Sequence, residues 1–306
     1  MKKDLAEKTL ESYNDVFADI VNGLLFGGQE IVKETDLVDA DSASQYKAEG
    51  KIREQRRDVA KFWMKGKIRL CLYGFENQTK KDRLMPARII SYDEASYRDQ
   101  IGKKNVLASG KLSPVVTLVL YFGMSKWRNR NLYSCLEIPP ELKDYISNYR
   151  INVFEIAWLT PDEVSRFKSD FKIVADYFVQ LRMNKNYIPS RDTIRHVDEV
   201  MGMMSALTGS RLYENVQQEF DMETRRKERD AGGVTMAGLF EQWRNEGVEE
   251  GIKLGTSQGI SQGINETARK MFLMNVCPVE QISKVTGLSV EEIRRLAEEK
   301  PTLASR

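Results

Sequence analysis

The sequence predicts an α/β protein: a central mixed sheet flanked by helices, then a helical region and a C-terminal helical arm. Three observations carry that expectation. Between Lys67 and Thr79, Ile68, Leu70 and Leu72 alternate with Arg69, Cys71 and Tyr73, the period-2 pattern of a half-buried strand. Val115 to Phe122 is β-branched and apolar on both faces, as a central parallel strand is, and a helical pattern precedes it. From Thr160 on, the pattern is helical throughout, opened by Thr160-Pro161-Asp162-Glu163, a capping box with proline at the first helical position.

In chain order, Leu10 to Phe26 forms an amphipathic helix, with Val16, Phe17, Ile20, Leu24 and Leu25 recurring at helical spacing. Asp19 on that helix either reaches a metal or is solvated. Thr35 to Ser44 is acidic and unpatterned, a loop. Arg56 to Trp63 forms a strand, and the turn Met64-Lys65-Gly66-Lys67 joins it to the alternating strand as an antiparallel hairpin. That register sets Asp58 across from the far end of the second strand, near Glu76 and Gln78; a one-residue slip would turn Asp58 to the other face. Tyr92 to Ile101 is a helix capped by Ser91 or Asp93. Ile151 to Leu159 is a further strand.

The helix that Thr160 opens is expected to run to about Met183, followed by one from Ser190 to Leu207 and one from Leu212 to about Arg229. His196 falls within the second of these patterns, as a structural or solvated residue. Ala231-Gly232-Gly233 breaks the pattern and divides the chain. Beyond it, glycines recur at every fourth position from Gly247 to Gly263. Five helix-interior glycines cost roughly 4–5 kcal/mol relative to alanine, so this arm is either a tether or a helix packed closely on a partner helix. Glu249, Glu250 and Lys253 exclude a membrane span. Pro278 to Gly287 and Ser289 to Glu299 form two short helices, with a second capping box at Ser289 and Glu292. They have the shape of a helix-turn-helix, suited to association or to groove reading.

Bulk properties limit the chemistry. A chain of 306 residues with 41% hydrophobic and 30% charged content can bury a core, in one large domain or two small ones. The start of the chain has no apolar signal segment, and no apolar run is long enough for a bilayer, so a cytoplasmic protein is expected. Cys71, Cys135 and Cys277 are too far apart for a zinc knuckle. One histidine is too few for zinc or histidine-metal chemistry. Any metal must be held by oxygen, as Mg²⁺ or a similar hard ion is. Glu76 and Gln78 continue the apolar parity of their strand, so Glu76 either emerges into water or is compensated by a cation. The net charge is only +2, but nine basic residues stand against three acidic ones between Lys47 and Arg69. That surplus is either an ordinary charged surface or a polyanion site.

Several blocks together resemble a known family: Asn14 to Asp19, Arg57 to Lys61, Gly74 to Thr79, Met85-Pro86-Ala87-Arg88 followed by Tyr92, Asp93 and Tyr97, and Pro114 to Gly123. Their order resembles the recombination-promoting nuclease (Rpn) and putative-transposase family, within the PD-(D/E)XK nuclease superfamily. The resemblance implies a restriction-endonuclease-like core over residues 1–160, a helical extension over 161–230 and the glycine-repeat arm over 231–306. It assigns Asp58 and Glu76 as metal ligands, with Asp19 as a weak third, and puts Gln78 where the superfamily has lysine. The implied activity is Mg²⁺-dependent DNA cleavage of low sequence specificity, with Arg57, Lys61, Lys80 and Arg88 on the DNA backbone. Homodimerisation through the arm is expected, and no organic cofactor. The other reading is a binding protein whose site has decayed, with Gln78 structural.

Overall fold

The computed structural model describes residues 10–40, 43–48, 51–102, 110–183, 187–219, 233–241, 244, 263–274 and 278–298. The chain separates into two compact units, residues 1–240 and 241–306. In the first, α1 (Asn14–Leu25) precedes β1 (Leu37–Asp39), β2 (Ala43–Ala48), β3 (Lys51–Arg56), β4 (Val59–Lys65) and β5 (Ile68–Gln78). Then come α2 (Met85–Gly102), β6 (Val115–Tyr121), β7 (Asn152–Glu155), α3 (Pro161–Ser165), α4 (Phe171–Arg182), α5 (Val197–Thr208) and α6 (Leu212–Glu219). The main sheet has the order β1-β4-β5-β6-β7, and β2 with β3 forms a separate two-stranded ribbon. β1, β4 and β5 are antiparallel neighbours; β5, β6 and β7 run parallel. The fold is α/β with a mixed five-stranded sheet.

Strand parity explains the layers. On β5, Phe75 faces α1, and its ring stacks on Phe17 at 4.1 Å between centroids. The opposite face packs on α2, where Met85, Ile89 and Tyr92 meet Val119, Tyr121 and Val153 in one buried cluster. β6 is central and parallel to both neighbours, as its doubly apolar sequence predicts.

Several elements differ from expectation. Residues 37–39 are a strand, not loop: three residues with only Leu37 buried are too short to show a period. The ribbon is absent from the sequence reading because its strands, ASQYKA and KIREQR, carry no apolar alternation. α2 begins at Met85, well before Tyr92, and Asp93 is buried within it instead of capping it. The last parallel strand stops at Glu155 and gives way to a 3-10 turn at Ile156–Trp158. The Thr160 capping box forms, but its helix ends at Ser165.

The chain breaks there because a carboxylate on α1 captures its backbone. Asp19 accepts hydrogen bonds from the amides of Lys168 (2.9 Å) and Ser169 (2.8 Å) and from the Ser169 hydroxyl (2.7 Å). Asp170, itself buried, accepts the amides of Arg195 (3.1 Å) and His196 (2.7 Å), which holds residues 187–196 out of helix until α5 starts. His196 therefore precedes α5, stacked on Tyr13 at 3.8 Å, with Nε2 3.3 Å from Asp15.

Residues 233–240 belong to the first unit, where Ile194 donates to the Val234 carbonyl at 2.7 Å. The expected break at Ala231–Gly233 therefore comes slightly ahead of the division between units; Ala231 and Gly232 lie outside the described residues, as do residues 220–230. So do Gly247, Gly251, Gly255 and Gly259 of the glycine repeat. In the second unit, helical residues 263–273, α7 (Val279–Thr286) and α8 (Val290–Glu298) enclose Ala268, Ile282 and Ile293. Gly287 ends α7 at φ 75°, a conformation that favours glycine, and the Ser289–Glu292 capping box opens α8. Among the described residues, no helix is long and apolar enough to cross a membrane.

Asp15 ties α1 to the segment ahead of α5. Burial works against its charge, but His196 and Arg195 outweigh that and hold the carboxyl below its ordinary range. A group whose pKa falls on folding stabilises above its unfolded value, and that contribution disappears as pH drops through the folded one. Asp15→Asn is expected to cost about 1 kcal/mol near neutral pH, roughly 2–4 °C in melting temperature. The difference from wild type should close below about pH 4, as thermal melts at both pH values would show.

Candidate functional site

The register of the β4–β5 hairpin builds the site. Val59 pairs with Phe75, and the Asp58 amide donates to the Phe75 carbonyl at 3.2 Å. Asp58 stands just ahead of β4, beside the end of β5. The Asp58 carboxylate accepts the Asn77 amide at 2.7 Å, extending the ladder with a side chain. Glu76 is buried on the α2 face, and its Oε1 accepts from Arg88 at 2.5 Å. Arg88 in turn reaches Asp82 at 3.1 Å and the Tyr92 hydroxyl at 3.2 Å. Burial works against the Arg88 charge, but Tyr92, Glu76 and Asp82 raise its pKa above the ordinary range. Burial also raises the Tyr92 pKa, and the charges of Glu76 and Asp58 raise it further. The charges of both carboxylates therefore reach one hydroxyl.

Gln78 is half-buried at the end of β5, and its carbonyl accepts the Phe122 amide at 2.8 Å. On the other face of β5, the Asn77 side chain donates to Glu11 at 2.8 Å. Glu11 is fully buried. Sequence reading passed over it, because one glutamate at the start of a helical pattern carries no spacing signal.

Two expected DNA contacts turn inward instead. Arg57 is buried: it donates to Asp93 at 2.7 Å and to Ser96 at 2.7 Å, and its stem fills the space over Gly74. A Cβ at position 74 would come within 2.5 Å of that stem, so glycine is required there. Lys61 is 1% exposed, paired with Asp39 across the β1–β4 ladder and set over the Phe17 ring. A phosphate could reach either cation only by breaking a buried pair, which costs several kcal/mol. Lys80 is exposed and Arg88 partly so. Asp19, anchored on residues 168–169, is not brought to Asp58 and Glu76. The side chains of the basic residues from Lys47 to Arg56 lie outside the described residues.

Among the described residues, no cluster of three or more His, Cys, Asp and Glu side chains could hold a metal ion. A carboxylate pair is nevertheless a donor set that Mg²⁺ accepts, since it is commonly held by one or two carboxylates with water and substrate oxygens completing the shell. The all-oxygen donors at Asp58 and Glu76 suit a hard divalent ion better than zinc or copper.

Fold and site together define an α/β protein whose mixed sheet brings two carboxylates to one end of an antiparallel hairpin, at the carboxyl edge of its parallel strands. The model of a family described as putative transposase, YhgA-like, matches residues 31–212, more than half of the chain. The chain belongs to that family. No curated protein and no solved structure matches it.

The Arg57–Asp93 pair is testable apart from any activity. Asp93 also accepts from Thr117 at 2.6 Å and from the Tyr149 hydroxyl, so its loss strands a guanidinium in the core. Asp93→Ala is expected to lower unfolding free energy by about 3–5 kcal/mol, read from urea denaturation. A loss under about 1 kcal/mol, the worth of a surface pair, would refute a buried clamp.

Proposed function

We propose that this protein is a metal-dependent nuclease that hydrolyses DNA phosphodiester bonds with little sequence specificity, in a mobile-element or recombination setting. The observation that carries the reading is that the hairpin brings Asp58 beside the end of β5, where its carboxylate accepts the amide of Asn77, the residue after Glu76. Its topology, a helix, an antiparallel hairpin, a helix and then two parallel strands, agrees with a restriction-endonuclease-like core.

Asp58 and Glu76 would hold Mg²⁺ or another hard ion, which when bound supplies the Lewis acidity for phosphodiester hydrolysis. The protein's own groups do the rest. Gln78, two residues beyond Glu76, orients the attacking water by hydrogen bonds. Its amide is neutral, so it gives the developing negative charge no ionic support, unlike the lysine of the wider superfamily. Glu76 is buried and needs a cation at all times, and Arg88 serves that need in the absence of metal. Tyr92 stays protonated at neutral pH and braces Arg88.

Plasmid nicking with and without Mg²⁺ tests the reading. Wild type is expected to cut only with divalent metal, and Asp58→Asn and Glu76→Gln each to lose at least about 100-fold in rate. Parent-like cutting by either variant would remove its carboxylate from the site. The neutral Gln78 and the Arg88 contact on Glu76 favour a second reading, DNA binding without turnover. In that case no variant and no metal changes the plasmid, while DNA is still retained.

A further inference from the structure

With Arg57 and Lys61 buried, a polyanion must meet other charges. We propose that a nucleic-acid strand lies along the two loops leaving the carboxyl ends of β5 and β6, held through its phosphates by Lys80, Lys81, Arg83 and Arg128. The proposal deepens the nuclease reading by naming where the substrate backbone runs.

Sheet topology brings these loops together. Gln78 pairs with Tyr121 at the end of the parallel ladder, so both chains leave at one edge, the edge where open α/β sheets take their ligands. Residues 79–84 read TKKDRL and residues 123–131 read GMSKWRNRN. Two contacts tie the flanks of these loops together. The Cys135 thiol donates to the Arg83 carbonyl at 3.0 Å. Trp127 is buried edge-on against Tyr121 at 4.9 Å, in the same cluster as Met85. With Trp127 inward, Lys126 and Arg128 on either side of it are turned out.

The acids at this edge already have partners. Asp82 pairs with Arg88, and Glu155 pairs with Lys126 at 3.3 Å and Arg130 at 2.8 Å. Lys80, Lys81, Arg83 and Arg128 are exposed, and none has an acidic partner among the described residues. Four uncompensated cations spread along two loops do not converge on one small anion. They suit a repeating one, gripped by its backbone with no base read. Arg88, the next cation inward, touches Glu76, so the strip leads to the carboxylate pair.

The test measures binding without metal, so it stands apart from cleavage. Wild-type full chain in EDTA is titrated against labelled 30-mers of duplex DNA, single-stranded DNA and RNA, by fluorescence anisotropy across a KCl series. Three proteins are compared: wild type, the quadruple variant Lys80→Gln, Lys81→Gln, Arg83→Gln, Arg128→Gln, and the control Lys65→Gln, Lys67→Gln. The control charges sit in the hairpin turn at the opposite edge of the sheet, roughly 30 Å away along β5. The quadruple variant should bind at least about tenfold more weakly, with its salt slope reduced by roughly three to four, while the control matches wild type. Similar losses on all three polymers support backbone contact, and a loss confined to one of them overturns it. The proposal also fails if the quadruple variant binds like wild type, if the control carries the loss, or if wild type binds none of the three at low salt. A nuclease-dead result for the wild type would leave these outcomes unchanged.

Discussion

The buried ion pair between Arg57 and Asp93 is the constraint on which the site depends. Asp93 receives Arg57 from the entrance to β4, Thr117 from β6 and Tyr149 from the crossover to β7, while itself sitting on α2. One carboxylate thus joins four parts of the chain. Taking such a pair out of water is costly, and only the surrounding hydrogen bonds make it tolerable. The benefit is positional. Arg57 is the residue before Asp58, so fixing the guanidinium against α2 fixes where the next carboxylate stands relative to Glu76. Gly74 completes the arrangement by leaving room for the Arg57 stem.

Much of this was legible in the sequence, for definite reasons. The alternation over Ile68 to Tyr73 shows a strand, and the Gly66 turn shows its hairpin partner. Those two facts alone set Asp58 near Glu76. β6 was legible because a strand buried on both faces must be apolar at every position. What failed was the meaning of charge. Arg57 and Lys61 lie in a basic run and read as surface; nothing local reveals that Asp93 and Asp39 wait for them. Asp93 looks like a cap because aspartate near a helical pattern usually is one. Its true partners are residues distant in sequence. The break after α3 was hidden for a similar reason, since the group that captures residues 168–169 is Asp19, on the first helix. Local pattern gives elements; long-range ion pairs and side-chain caps decide where they stop.

The two units also differ in how they hold together. The first has a continuous core on both sides of its sheet. Among its described residues the second encloses three fully buried side chains, Ala268, Ile282 and Ile293, beside local devices. The Ser289 capping box and the left-handed Gly287 fix the angle between α7 and α8 without a large apolar area. On its surface opposite charges alternate: Glu291 and Glu292 are followed by Arg294 and Arg295.

Arg88 links the carboxylate pair to the basic strip, and its position imposes an order on binding. Its guanidinium holds Glu76, Asp82 and Tyr92 together, so turning fully to a phosphate costs its contact with the buried Glu76. A polyanion arriving alone would worsen that cost, because it adds negative charge beside Glu76. A cation bound at Asp58 and Glu76, as proposed, would relieve it and release Arg88 for the phosphate. If both bind as proposed, metal and nucleic acid would bind with positive coupling, and linkage makes that coupling equal in both directions. The outer cations, Lys80, Lys81, Arg83 and Arg128, owe nothing to Glu76 and can engage the strand first. Under the proposed reading the exposed strip would govern capture, and the exchange at Glu76 would govern whether a captured strand is drawn onto the carboxylates.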